Sequence, residues 1–325
     1  MHFSFDEDQL AMRDAVRAFC ADRLDPGSVA GREGKPADAA TWSMLADLGV
    51  LGMLVDEPGS SIGLVEAALV FEELGAHLVC GPVLWSTLAA PFVPGVADGE
   101  IRVAGVDLDE HDGPVVVEHA DEADEVLVLR GDRAERCRRS DLPTPLDGAP
   151  LDPLTPVSVF ASLPPGVVVA EGDAVGAIRR TGAILTAALL VGGAQGALDV
   201  ARDHALEREQ FGVPIGSFQA VKHLLADMYV RVELARAATY AAAAIAAGRG
   251  AGDPDLAAGS AKLLAGDAGI SNGRTAVQVL GGMGFTWDML PHYFLKRAWV
   301  LEHGFGTASA HATRLGSAVG EEILA

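Results

Sequence analysis

EREQFGVPIGSFQAVKHLLADMYVRVELAR, Glu207–Arg236, is the stretch on which the fold turns. Its second half carries Val221, Leu224, Leu225, Met228 and Val232 at the spacing of one helical face. Its first half breaks that rhythm. FGVPIGS sets two glycines and a proline among apolar residues and reads as a loop between two helices. Arg208 and Phe211 stand where the upstream helix ends and the turn begins. An arginine there can pair a phosphate, and a phenylalanine can lie on a flat ring. Taken alone, the same two residues are a solvated cation and a core aromatic.

Working outward, the upstream segment TGAILTAALLVGGAQGAL, Thr181–Leu198, is almost wholly apolar and follows Arg179-Arg180. Its length would allow a membrane span. Gln195, the abundance of Ala and Gly, and the charged continuation DVARDHALEREQ point instead to the buried helix of a bundle, running from Ala177 to about Glu209. Downstream, AGDP opens a third helix, with Asp253 as N-cap and Pro254 at the first helical position, reaching Leu280. Pro291 starts a fourth, HYFLKRAWVLEH. Thr307 caps a fifth, ASAHATRLGSAVGEEIL. Long helices joined by short loops make a bundle over residues 173–325.

The first 98 residues also read as helical. Leu10, Met12, Val16 and Phe19 recur at helical spacing, TWSMLADLGVLGML is a short helix broken at glycine, IGLVEAALVFEELGAHL is ended by Gly75, and LWSTLAAPFV precedes Pro94. Between them, over residues 99–172, the texture changes. IRVAGVDL, GPVVVEHA, EVLVLRG, TPVSVFAS and GVVVAEG are β-branched runs separated by Asp, Pro and Gly. They predict a small antiparallel β unit, with CRRSDLPTPLDGAPLDPLTP as loop. The expected fold is mainly α with a small central β domain: an N-terminal helical domain over 1–98, a β domain over 99–172 and a helical bundle over 173–325. That order excludes a Rossmann fold, which alternates strands with helices.

Composition narrows the function. The 325 residues are 50% hydrophobic, mean hydropathy is +0.26 and net charge is −21. Such a chain repels nucleic acid and anionic membranes, so neither is an expected partner and no membrane insertion is expected. Cys20, Cys80 and Cys137 show no CxxC spacing, which argues against a zinc site or a disulfide framework and for small buried hydrophobes; no metal is expected. MHFSFDEDQLAMRD has no basic or apolar leader region, so the cytoplasm is the expected location. GGMGFTW, Gly281–Trp287, fails as a dinucleotide loop, because it follows a helix and lacks the third glycine. It fits a helix-ending turn with exposed N–H groups.

Taken together, Glu207–Arg236, QVLGGMGFT (Gln278–Thr286) and the opening FSFDEDQLAMRDAVRAF resemble the acyl-CoA dehydrogenase family, and the helix–sheet–helix order matches its three-part fold. The resemblance covers most of the chain. It is strongest over the last 150 residues or so and weakest in the middle. It implies an FAD site shared between subunits. Arg208, Phe211 and Gln219 would reach a neighbour's flavin, as would Gln278, Gly281 and Gly282. Thr307, of the Gly306-Thr307 pair, would meet the FAD of its own subunit. An arginine for the pyrophosphate, bare backbone for close approach and an aromatic for a ring face suit that task.

Two departures stand out. In the family a glutamate usually precedes that Gly-Thr and removes the α-proton of the acyl-CoA; here the residue is Phe305. Some members carry the glutamate early in the first bundle helix. Spacing back from Arg208, that position falls near Gly182, between Thr181 and Ala183. No carboxylate is present at either place, so the catalytic base is unassigned. Glu302 and His303 are the nearest alternatives, although ordinary residues of a helix C-terminus account for both. In addition, nothing between Arg102 and Val169 resembles the Thr-Glu-Pro-x-x-Gly-Ser-Asp stretch that holds the flavin ring and thioester, and that region is short.

The resemblance thus implies a subunit of a heteromeric FAD-dependent acyl-CoA dehydrogenase, like those that shorten sterol side chains, a branch that the GFTWD stretch, with Trp287 after the Gly-rich turn, also resembles. It would complete the flavin site of a second acyl-CoA dehydrogenase-like chain, as a heterotetramer, with its own pocket inert. The expected ligand is an acyl-CoA, and electron-transferring flavoprotein is among the acceptors the family allows. Arg179, Arg180 and Lys222 are candidates for the CoA anion. The alternatives are a homo-oligomer with a displaced base, a flavin monooxygenase on the same scaffold, and a non-enzymatic scaffold.

Overall fold

A computed structural model describes residues 5–56, 62–108 and 113–324, without side-chain detail beyond residue 320. The chain forms two compact units. One comprises Met1–Gly31, Ala68–Val79 and Ala183–Ala325; the other comprises Arg32–Ala67 and Cys80–Gly182.

The first unit is helical. Helix α1, Glu7–Arg23, starts at a reciprocal cap: the Asp6 carboxylate accepts from Gln9 N, and the Gln9 side chain accepts from Asp6 N. Such a cap contributes about 1 kcal/mol. Then follow α2 (Ala39–Asp47) and α4 (Val83–Ala89), which belong to the other unit, and between them α3 (Leu64–Ala76). The bundle is α5 (Asp173–Glu207), α6 (Gln219–Ala246), α7 (Pro254–Leu280), α8 (Pro291–His303) and α9 (Ala308–Leu324). The caps read from sequence are present. The Asp253 carboxylate accepts from Asp255 N and Leu256 N, and Thr307 Oγ1 accepts from Ala310 N at 3.2 Å.

Helix α5 is the long apolar segment. It is long and apolar enough to cross a membrane, yet 78% of its most apolar window is buried inside the protein, as expected of a bundle's core helix. Gly192 shows why small residues recur there. A Cβ at Gly192 would lie 1.9 Å from Glu72 O, and one at Gly75 would lie 2.2 Å from Leu189 O, so α3 and α5 cross with their backbones in contact. Gly75 therefore does not end α3, as the sequence reading had it. It lies inside the helix, which runs to Ala76 and is followed by Leu78 in the left-handed region.

Buried polar groups tie the bundle together. Asn272 of α7 is fully buried and donates to Ala194 O and Met228 O at 3.2 and 3.1 Å, linking α5, α6 and α7. Glu72 of α3 accepts from Tyr240 Oη at 2.5 Å and Arg236 Nε at 2.8 Å, while Arg236 also donates to Gln195 Oε1 at 3.0 Å. Burial, then the Glu72 charge, push the Tyr240 hydroxyl far above the usual phenol range.

The second unit holds the strands: β1 (Val103–Asp107), β2 (Val115–Glu118), β3 (Glu125–Arg130), β4 (Arg133–Arg138), β5 (Val157–Phe160) and β6 (Val167–Glu171). One sheet has the order β1-β3-β4-β6, and β2 pairs β5 separately. Two expectations need correction. The unit is not wholly antiparallel, because β1 pairs β3 in parallel. Also, RAERCR forms β4, so Cys137 and Arg138, assigned to loop, are strand. Its charges hid it. Arg136 pairs with Glu125 across the β3–β4 register, while Ala134 and Cys137 are buried on opposite faces of the strand. Val115, Val117, Val126, Val128, Cys137 and Phe160 bring both sheets into one core cluster. All three cysteines are buried free thiols.

Candidate functional site

The sequence between α5 and α6 is not a plain loop. It forms a two-strand hairpin, β7 (Glu209–Gln210) and β8 (Val213–Pro214), with Gln210 opposite Val213. The two residues left at its tip are Phe211 and Gly212, at φ +56° and +79°. Two positive φ values make the turn type that favours Asn-Gly, and a bulky residue at its first position is strained. Phe211 is nonetheless there, and it is 94% exposed, with Phe218 edge-on at 6.2 Å between ring centres. A core aromatic is thereby ruled out for Phe211.

Arg208 precedes the hairpin. It is exposed, and among the described residues its guanidinium makes no ion pair. Its charge is felt by His204 one turn earlier, held below the usual imidazole range first by burial and then by Arg208. Gln219 opens α6 and Gln278 lies in the last turn of α7; both are exposed, with no side-chain hydrogen bond among the described residues. Gly281, at φ +61°, ends α7, and Gly281–Phe285 continues as a 3-10 turn. A Cβ at Gly281 or Gly282 would meet nothing within 4 Å, so the backbone there is open to approach. Beyond them Phe285 is 84% exposed, and Trp287 is exposed with Lys296 Nζ 3.8 Å above its ring.

Helices α6 and α7 run antiparallel, joined by a short loop, with Met228 level with Asn272. Gln219 lies nine residues before that level and Gln278 six residues beyond it, so both fall at the same end of the pair, within about 5 Å of axial rise. The hairpin leads directly into α6. The structure thus brings Arg208, Phe211, Gln219, Gln278, Gly281 and Gly282 to one end of the bundle. Thr307 is elsewhere. Its turn is tied to Lys262, sixteen residues before Gln278 on α7, or about 24 Å along the axis.

Around Thr307 the candidate bases are accounted for. Phe305 is 7% exposed, at φ +55°. The Glu302 carboxylate accepts from Ala308 N at 2.7 Å, capping α9. His303 points outward with its side chain 78% exposed. Thr181, Gly182 and Ala183 lie within α5 and carry no carboxylate. Sequence reasoning missed Lys262 and His311, both buried against this turn. The available signal was a lysine on the alanine- and glycine-rich face of α7, beside Ala258, Ala261 and Ala265.

In the second unit, Arg179 is not available to an anion. It pairs with Asp107 at 2.9 and 3.1 Å and donates to Gly131 O at 2.7 Å, fastening the start of α5 to the sheet. An open depression of about 510 Å³ is lined by Leu108, Val115, Arg130, Ser162 and Leu163. Arg130 is engaged there by Glu135 and the carbonyls of Leu163 and Pro164. Residues 109–112, part of the interval searched for a flavin-ring motif, lie outside the described residues.

Residues 6–94 match the family model "Acyl-CoA dehydrogenase, N-terminal domain", and residues 180–320 match "Acyl-CoA dehydrogenase, C-terminal domain". The chain belongs to the acyl-CoA dehydrogenase family. Among its acyl-CoA dehydrogenase relatives, IpdE2 of Mycobacterium tuberculosis is 30% identical, over 90% of this chain and 91% of its own length. FadE34 of the same organism is 32% identical over 92% of this chain, and the chain spans 46% of that relative's length. Among solved structures, the ChsE4-ChsE5 complex from M. tuberculosis has a TM-score of 0.85 at 23% identity, covering 99% of each chain, a likeness of fold. Acyl-CoA dehydrogenases are FAD-dependent oxidoreductases.

Proposed function

We propose that this chain is one subunit of a heteromeric acyl-CoA dehydrogenase and that it completes the flavin site of a partner chain of the same fold. The observation that carries the reading is Phe211: an aromatic kept at a strained hairpin tip, almost wholly exposed, three residues from an exposed Arg208 that makes no ion pair among the described residues. Folding gains little from that placement, whereas an exposed ring and an exposed guanidinium on the same short segment suit a partner's bound nucleotide. Gln219 and Gln278 add amide donors, and Gly281–Gly282 adds bare backbone. Thr307 belongs to the chain's own half-site, about 24 Å away along α7, which favours two chains over one in building a site.

FAD, when bound, supplies the two-electron acceptor for α,β-desaturation of an acyl-CoA thioester. In this chain Arg208 neutralises phosphate charge, Phe211 covers a ring face and excludes water, and the two glutamines orient the group. Proton removal is left to the partner, since Phe305 has no acid–base function and the Glu302 carboxylate is spent on capping α9. The thioester is proposed to carry a bulky, steroid-like acyl group, on the likeness of fold to a solved steroid acyl-CoA dehydrogenase.

The test is the flavin-to-polypeptide ratio, by absorbance, of the chain alone and after co-expression with an acyl-CoA dehydrogenase-like chain encoded beside it. One flavin per pair of unlike chains, and none on the chain alone, is the expected result. One flavin per chain without a partner would overturn it.

A further inference from the structure

The turn between α8 and α9 is held from two sides by groups that the proposed activity does not use. Lys262 of α7 is fully buried, and its Nζ donates to Glu302 O at 2.7 Å and to Gly306 O at 3.2 Å. The first carbonyl belongs to the last turn of α8; the second directly follows Phe305. From α9, the buried His311 places Nε2 3.0 Å from Phe305 O. A carbonyl only accepts, so that nitrogen carries the proton. The His311 ring is itself fitted between two glycines. A Cβ at Gly259 of α7 would lie 3.1 Å from Nδ1, and one at Gly306, at φ +95°, would lie 2.9 Å from Nε2.

We infer that Lys262, together with His311, is a positioning residue, which fixes the Glu302–Thr307 turn so that Phe305 keeps a left-handed backbone and a buried ring. Phe305 is the second Phe-Gly pair of the chain with positive φ at both residues; the first, Phe211-Gly212, turns its ring outward. Backbone conformation alone therefore does not decide where such a ring goes. At Phe305 the surroundings over-determine it, with three carbonyls of the turn supplied by donors from two other helices. The lysine is held at a cost. Burial pushes its ammonium down to about 8, against a partial compensation from Glu302, and an apolar residue of similar length would avoid that cost. The titratable groups near it are Glu302 on α8, with its neighbour His303, and His311 on α9. What the lysine gains is a fixed turn, so the ground beside Thr307 is stoppered by a phenylalanine rather than merely lacking a base. This holds whether or not the chain lends residues to a partner.

The experiment is fluorine NMR of the whole chain labelled with 3-fluorophenylalanine at its 11 phenylalanines, the Phe305 line being identified by its loss in Phe305→Leu. In Lys262→Met and in His311→Ala, the Phe305 line is expected to move toward the shift of the free amino acid, with far-UV circular dichroism unchanged. If Lys262→Met does not fold, His311→Ala, which removes the donor to Phe305 O, decides the matter alone. A Phe305 line that keeps its shift in every folded variant overturns the inference. Flavin stoichiometry, which tests the partner reading, is not involved.

Discussion

Lys262 allows a prediction whose size can be worked from the structure. Its ordinary value is 10.5, and burial lowers it to about 8 in the folded chain. Between these values the unfolded chain binds more protons than the folded one, so stability rises with pH across that window. The contribution is fully present above about 10.5 and is lost as pH falls through about 8. The difference of about 2.5 units corresponds to about 3 kcal/mol. Lys262→Met removes this term and leaves Glu302 O and Gly306 O without their donor, an unmet-acceptor cost of about 1–3 kcal/mol each. At pH 7 the lost hydrogen bonds and the relieved desolvation offset one another. At pH 10 only the loss remains. The assay is thermal unfolding of wild type and Lys262→Met in parallel from pH 7 to 10.5, reading the difference so that other titrations cancel. For a chain of this length, about 3 kcal/mol corresponds to a melting difference that widens by about 4–5 °C in favour of wild type. A difference that stays flat across the window, or narrows with rising pH, would refute the reasoning.

Other outcomes follow from single contacts. Phe211→Ser should leave the isolated chain's urea midpoint within about 0.5 kcal/mol of wild type, because the ring touches little, while lowering flavin retention in the co-expressed complex by at least about tenfold. Gly192→Ala places a methyl against Glu72 O and should cost about 3 kcal/mol in equilibrium unfolding; an unchanged midpoint would mean that α3 and α5 do not cross there. Asn272→Leu strands the carbonyls of Ala194 and Met228 and should cost about 2–4 kcal/mol by the same assay. Glu302→Gln keeps an acceptor for Ala308 N and should leave the turnover of the heteromer within about twofold of wild type; a loss of several hundredfold would restore Glu302 as a base.

The sequence by itself determined the helices, their caps and the class of fold. Periodicity on α6, the Asp253–Pro254 start and the Thr307 cap are local signals, and local interactions within one or two turns are enough to produce them. It also marked Arg208, Phe211, Gln219, Gln278 and the Gly281–Gly282 turn as residues of one kind of site, through a resemblance rather than through any single residue's chemistry. Strand β4 escaped because its charged residues find their partners only once strands pair, Arg136 with Glu125 of β3 and Arg133 with Glu171 of β6. Gly75 looked like a helix end because nothing local shows that α5 crosses it. Only the tertiary structure separated the two Phe-Gly pairs. Lys262, distant in sequence, and His311, near in sequence on α9, hold the turn around Phe305, whereas Phe211 meets Phe218 edge-on at a hairpin tip, so one ring is buried and the other is exposed. Long-range packing sets burial, and burial sets what a side chain can do. For that reason the sequence could name candidate residues, while the separation of the hairpin end from the Thr307 turn along α7 and the burial of Phe305 depended on the fold.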